Sequence, residues 1–207
     1  MKHNGGVTAS ATADSARKRQ LLELAYAYVL DHGLADMSLR PLAEAVGSSP
    51  RVLLFLFGSK EALVQALLAR ARQDELRVLD AVRSDQDGKQ DGRQHDLARV
   101  GALVWEWLAA PEHLRLNTLW VQSYARSLTD DSGPWADFAR RTVTDWLDLL
   151  AAAQPPAHRD SPAAEAERAL LLAVLRGALL DLLATGDRPR NDAAVAAHLA
   201  AIAPGRD

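Results

Sequence analysis

Residues 38 to 61, SLRPLAEAVGSSPRVLLFLFGSKE, decide how the rest of the chain is read. Leu39, Leu42, Ala43 and Val46 stand at i, i+3, i+4 and i+7, which is one apolar face of a helix. Ser38 is placed to cap its first N–H groups. Pro41 is tolerated because N–H groups of a first turn have no helical acceptor. Gly47 supplies the left-handed residue that ends a helix, and Ser49 before Pro50 is an N-cap with proline at the first helical position. A second helix, Ser49 to Phe57, therefore begins after a turn of about three residues, short enough to fix a steep angle between the two. This is the helix-turn-helix arrangement, in which the second helix enters the major groove of DNA. Ser59 caps a third helix, with Lys60 in its first turn.

Working outward, the first 14 residues are rich in Gly, Ser, Thr and Ala without periodicity and read as a flexible tail. A helix over about 16–32 opens with Arg17, Lys18 and Arg19, cations positioned to reach phosphates or the adjacent minor groove. A solvated first turn is the competing reading of the triplet. The helix begun at Ser59 continues to about Arg83, a length of about 37 Å at 1.5 Å per residue, enough to link the reading head to a second domain. Residues 84–96 are polar, with two glycines, and are expected to form a mobile loop. Helical patterns follow at 97–109, 111–128, 135–153, 163–184 and 191–203. The expected fold is all-α: a tail over 1–14, a three-helix DNA-binding domain over 15–61, and a helical domain over 62–207.

The motif resembles the DNA-binding domain of the TetR (tetracycline-repressor) family. Gly33, Ser38, Arg40, Leu42, Ala43, Gly47, Ser49, Leu53, Phe57, Ser59, Lys60, Glu61 and Leu63 meet that family's pattern at its spacing. The chain departs from it at Leu54, where the family usually carries a phosphate-contacting Tyr, with Phe55 one position later, and at Leu56, where His or Tyr is common. The resemblance implies a homodimeric transcriptional regulator, a repressor that binds a palindromic operator and is released by a small molecule held in its second domain.

Composition narrows the function classes. The chain has 207 residues, 48% of them hydrophobic, which allows a substantial core, and no cysteine, which removes disulfides and thiolate chemistry. No apolar run reaches the 18 or more residues of a membrane span and the N-terminus lacks a signal-like hydrophobic region, so a cytoplasmic protein without membrane contact is expected. Net charge is −3, but residues 1–60 hold seven Lys/Arg against five Asp/Glu, whereas 61–207 hold seventeen against twenty-two. The positive balance lies on the reading head. The six histidines stand apart from one another and from metal-ligand spacings, so neither a metal nor a cofactor is expected. No phosphate loop or nucleophile–base pairing stands out, and the adjacent Asp130 and Asp131 lie in a Ser/Gly/Pro turn, so an enzyme is not expected.

Within the reading helix Arg51 is the only charged residue, and Arg40, Ser48 and Ser49 are its expected supplements at the bases. Lys60 and the N-terminus of the third helix are expected at phosphate, and Ser38 and Phe55 are further expected DNA-binding residues. All five tryptophans lie beyond residue 100. Trp105, Trp120, Tyr124 and Trp146 are expected to line a cavity for a small apolar or aromatic ligand, with Asn117 and Gln122 as polar contacts, although an aromatic stripe at helical spacing also suits plain core. From Leu170 to Leu183 leucines point in almost every direction round the helix, and a helix apolar all round must be covered all round. In the TetR family the last two long helices form a four-helix dimer interface. That resemblance assigns Leu171, Leu175, Ala178, Leu179, Leu182, Val195, Leu199 and Ile202 to contact with a second copy. The alternative function is a helical small-molecule sensor or protein-interaction module without sequence-specific DNA binding, suggested by the apolar run Val52 to Phe57.

Overall fold

The computed structural model describes residues 6–34, 37–87, 96–130 and 132–203. Among these the secondary structure is all helical. The helices are α1 (Gly6–His32), α2 (Leu39–Ala45), α3 (Pro50–Phe57), α4 (Lys60–Asp87), α5 (Leu97–Ala109), α6 (Leu114–Thr129), α7 (Phe138–Ala152), α8 (Pro162–Thr185) and α9 (Arg188–Ile202). Single 3-10 turns at Pro111–His113 and Gly133–Trp135 lead into α6 and towards α7.

Local chemistry sets most of the boundaries. The Ser49 hydroxyl accepts from the Val52 N–H at 3.3 Å and Pro50 occupies the first turn of α3. Ser59 caps α4 through the Ala62 N–H at 3.0 Å, Asp96 caps α5 through Arg99, and Ser161 before Pro162 caps α8 through Ala164. Gly47, at φ +62°, lies in the left-handed region and lets the chain reverse between α2 and α3. Ser38 departs from expectation. It flanks α2 with an extended backbone, but its side chain makes no capping bond, and only its carbonyl accepts, from Leu42. Further differences are in length. α1 starts at Gly6, inside the stretch read as a flexible tail, because residues 7–32 contain no Gly or Pro to break it. α4 runs on to Asp87, taking up the first residues of the expected loop, whose remainder, 88–95, falls outside the described residues.

Two hydrophobic cores result. The first joins Leu21, Ala25 and Val29 of α1, Leu42 and Ala43 of α2, Leu53 and Phe57 of α3, and Leu63, Val64, Leu67 and Leu68 of α4. The opening turns of α4 thus belong to the head, and the boundary expected at 61/62 falls inside one continuous core. Leu119, Trp135 and Phe138 from the second half join the same cluster, so the head is seated on the second domain by buried side chains as well as by α4. The second core is built by α5, α7, α8 and α9 around Val104, Trp105, Leu149, Leu150, Leu171, Leu175, Leu179 and Val195.

That second core takes up most of the residues expected at an interface. Leu171, Leu175, Ala178, Leu179, Leu182 and Val195 are buried within their own subunit, and Leu199 and Ile202 pack against the same cluster. These residues form the inner stripes of α8 and α9, which intramolecular packing already covers. The opposite side of α8 presents Leu170, Ala173, Gly177, Leu180 and Ala184 to solvent, and the outer side of α9 is alanine at 193, 194, 196, 197, 200 and 201. A solvated helix face normally carries charge; this pair of faces carries little.

Candidate functional site

The head places α3 on its outer side. Leu53 and Phe57 anchor it inward, while Arg51, Val52, Leu54 and Phe55 are exposed and Leu56 is half-buried. Between α3 and α4 the axis turns by 72° at Gly58 and Ser59, which holds the short reading helix off the long one. Arg40 and Lys60 are also exposed, Ser48 is half-buried, and the Ser49 hydroxyl is committed to its cap. From the basic triplet on α1, Lys18 lies over the Phe57 ring at 5.1 Å, next to the C-terminal end of α3, while Arg17 donates to Gln20 and Arg19 to Ser15. The expected DNA-facing residues are therefore distributed over α1, α2, α3 and the start of α4 on a single head.

A polar cluster ties this head to α4. The Tyr26 hydroxyl donates to Asp74 at 2.9 Å, Arg70 bridges Asp74 (2.6 Å) and Glu23 (2.8 Å), and its guanidinium lies 4.7 Å from the Tyr26 ring. Burial, and then the bond to Asp74, push the Tyr26 phenol well above its ordinary range. A phenol raised in the folded state stabilises the fold fully below its unfolded value of about 10, and that contribution is lost as pH rises beyond it. Alkaline unfolding followed by circular dichroism should consequently show a weaker loss of stability above about pH 10 in Tyr26→Phe than in the parent chain.

Farther along, α4 forms one wall of a cavity in the second domain. Ala71 and Arg72 of α4 face Val104, Trp107 and Leu108 of α5, Leu116, Asn117, Leu119, Trp120 and Ser123 of α6, Phe138 and Trp146 of α7, and Leu172, Leu175, Arg176 and Leu179 of α8. Its free space is about 40 Å³. Arg72 pairs with Asp145, which connects the α4 wall to α7. Arg176 sits 5.4 Å from the Trp120 ring and 5.3 Å from that of Tyr124, and the two rings pack at 5.1 Å. The indole N–H of Trp120 is buried without a hydrogen-bond partner. Asn117 donates to the Leu108 carbonyl and Ser123 to that of Leu119, so these polar side chains fix backbone as well as lining the wall.

Of the residues expected around a ligand, the fold brings Asn117, Trp120 and Trp146 to this cavity, with Tyr124 behind Trp120. Trp105 faces elsewhere, donating its indole N–H to Asp192 of α9 at 2.7 Å. Gln122 is exposed on the opposite side of α6, against Gly33 at the end of α1. Trp107, Phe138, Arg72 and Arg176 line the cavity without having been singled out by sequence, because each comes from a different helix and no local spacing links them. Among the described residues no group of three or more His, Cys, Asp or Glu is placed to hold a metal ion, and no single helix is long and apolar enough to cross a membrane.

Residues 21–67 match the family model of bacterial regulatory proteins, tetR family. No curated protein matches the chain. Among solved structures, a transcriptional regulator from Rhodococcus sp. Rha1 is similar over 89% of this chain and 95% of its own, at 21% identity and a TM-score of 0.71. A TetR-family member from Streptomyces coelicolor A3 is similar over 91% and 99%, at 21% identity and a TM-score of 0.65. The multidrug binding protein EbrR, complexed with imidazole, is similar over 92% of each chain, at 22% identity and a TM-score of 0.62. At these identities the structural likeness is one of fold.

Proposed function

We propose that the chain, whose residues 21–67 match the family model of bacterial regulatory proteins, tetR family, is a homodimeric repressor of that family, released from a palindromic operator by a small apolar or aromatic ligand. The observation that carries this reading is the path of α4. It starts beside the reading helix at Lys60, runs through the head's core, and twelve residues from its start Ala71 and Arg72 form the wall of the apolar cavity. At 1.5 Å per residue that distance is about 18 Å, so a shift at the cavity is delivered to the head along a rigid element.

The cavity's size supports a coupled release. Free space of about 40 Å³ is far below the roughly 300–1,000 Å³ of pockets that hold drug-sized molecules, so an aromatic ligand enters by displacing side chains. Trp120 and Arg176 are the pair to be displaced on one side, and the Arg72–Asp145 bridge is the element to be moved on the other. EbrR, described as binding multiple drugs, offers a precedent in this fold for a small-molecule site. The two reading heads are expected to address half-sites about 34–36 Å apart or a multiple of that, and tilting α4 would spoil the spacing.

For the second copy, the solvent-facing side of α8 and the alanine face of α9 replace the residues expected from sequence. Leu170 and Leu180 remain 56% and 50% exposed in the single chain, and the small residues between them permit close approach of another helix pair. A two-fold axis through this face would build a four-helix interface without disturbing either subunit's core.

Lys60→Ala separates phosphate gripping from base reading. It is expected to weaken all DNA about equally and to lower the slope of log K against log salt by about 0.9 per phosphate contact, about 1.8 for a dimer that loses two. Fluorescence anisotropy titrations of specific and random duplexes over a salt series measure both quantities. An unchanged slope would remove Lys60 from the interface. The alternative, a helical sensor or interaction module without DNA reading, draws on the exposed apolar side chains Val52, Leu54 and Phe55. Absence of any salt-sensitive DNA binding in the same titration would establish it over the repressor.

A further inference from the structure

We propose that the reading helix selects thymine at defined positions of each half-site, through contact of Phe55 and Val52 with thymine C5-methyl groups within about two base pairs of the one read by Arg51. The inference rests on the DNA-reading function proposed above and specifies what is read. On α3 the side opposite the buried Leu53 and Phe57 is made by Arg51, Val52 and Phe55, with Leu54 on its flank, and Phe55 is 75% exposed. Among the described residues no other large hydrophobic side chain stands so far out of the surface. Apolar side chains have no hydrogen bond to offer to a base edge. The one apolar group displayed in the major groove is the thymine methyl, so a reading face of this composition finds a complementary partner only there. Arg51 and Phe55 are four residues apart, about 6 Å along the helix, which is close to two base-pair steps of about 3.4 Å. Val52 lies beside Phe55 on the same face, one turn back. Polar readout is otherwise sparse, since the Ser49 hydroxyl is held by the Val52 N–H and Arg51 is the only charged side chain of α3.

The test uses the full chain and a duplex that it enriches from a randomised pool. Each thymine in the half-sites is replaced symmetrically by deoxyuridine, which deletes the methyl and keeps every hydrogen-bonding group. A buried methyl corresponds to about four-fold in affinity, so symmetric replacement at a contacted position is expected to weaken binding about fifteen-fold. In Phe55→Ala or Val52→Ala that penalty should fall towards one, because the methyl's partner is already gone. Since both residues are exposed, neither variant threatens folding. The inference is overturned if no position costs more than about two-fold, or if both variants keep the parent chain's penalty at every position, and in either case the DNA-reading function stands. Failure of the chain to enrich any duplex would overturn the inference and that function together.

Discussion

Gly177→Arg should convert the protein to a folded monomer that no longer holds its operator. Gly177 lies on the solvent side of α8, and a Cβ built there meets nothing within 4 Å, so the subunit has room for a long side chain. Replacing a mid-helix glycine also favours the helix by up to about 1 kcal/mol. Within one subunit the substitution is therefore neutral or stabilising. In the proposed dimer the same position would face another copy of α8, and two guanidinium groups would be buried against like charge. Specific over non-specific preference is typically about 4–10 kcal/mol, and a lone head retains about half, so operator affinity should fall by about 2–5 kcal/mol, roughly 30- to 5,000-fold. Light scattering gives the mass, circular dichroism the fold, and a titration the affinity. A dimer mass for Gly177→Arg would place the interface elsewhere.

The second large effect is expected from Arg51→Ala. A bidentate arginine contact to guanine discriminates by about 1–3 kcal/mol, so its loss from both heads removes about 2–6 kcal/mol of specificity. Random-sequence DNA should be bound nearly as before, because the phosphate contacts proposed for Lys60 and expected of the basic residues of α1 would remain. The signature is a collapse of the ratio between specific and random duplexes with little change in the latter. Equal loss on both would assign Arg51 to the backbone instead. Because Arg51 is exposed and makes no contact that the head's core depends on, instability does not complicate the comparison.

The head was legible in the sequence because its boundaries are written in short-range chemistry. Ser49 with Pro50, Gly47 and Ser59 each act within one helical turn, and α5 occupies the span expected for it, 97–109, with Asp96 as the cap that the structure shows. Ser38 occupies a capping position without making the bond, which shows that residue type alone does not settle hydroxyl orientation. The second domain was harder for a physical reason. Where leucine fills every direction of α8, periodicity cannot distinguish the stripe that packs on α5 and α9 from the stripe left outside. Leu171, Leu175 and Leu179 look as available as Leu170 and Leu180 until their neighbours are known. The alanines of α9 give almost no hydrophobic signal, although they form its whole outer side. Of the residues expected around a ligand, Asn117 and Trp120 of α6 and Trp146 of α7 line the cavity, whereas Trp107, Phe138, Arg72 and Arg176, which line it too, converge from four helices that no local spacing links.

Selection of duplexes from a randomised pool by the purified full chain, at near-physiological salt, addresses the central claim most directly. The account predicts enrichment of one inverted repeat whose half-site centres lie about 34–36 Å apart or at a multiple of that distance. Enrichment of a single unrepeated site would contradict the two-fold arrangement, and recovery of no preferred sequence by a folded protein would contradict DNA reading itself.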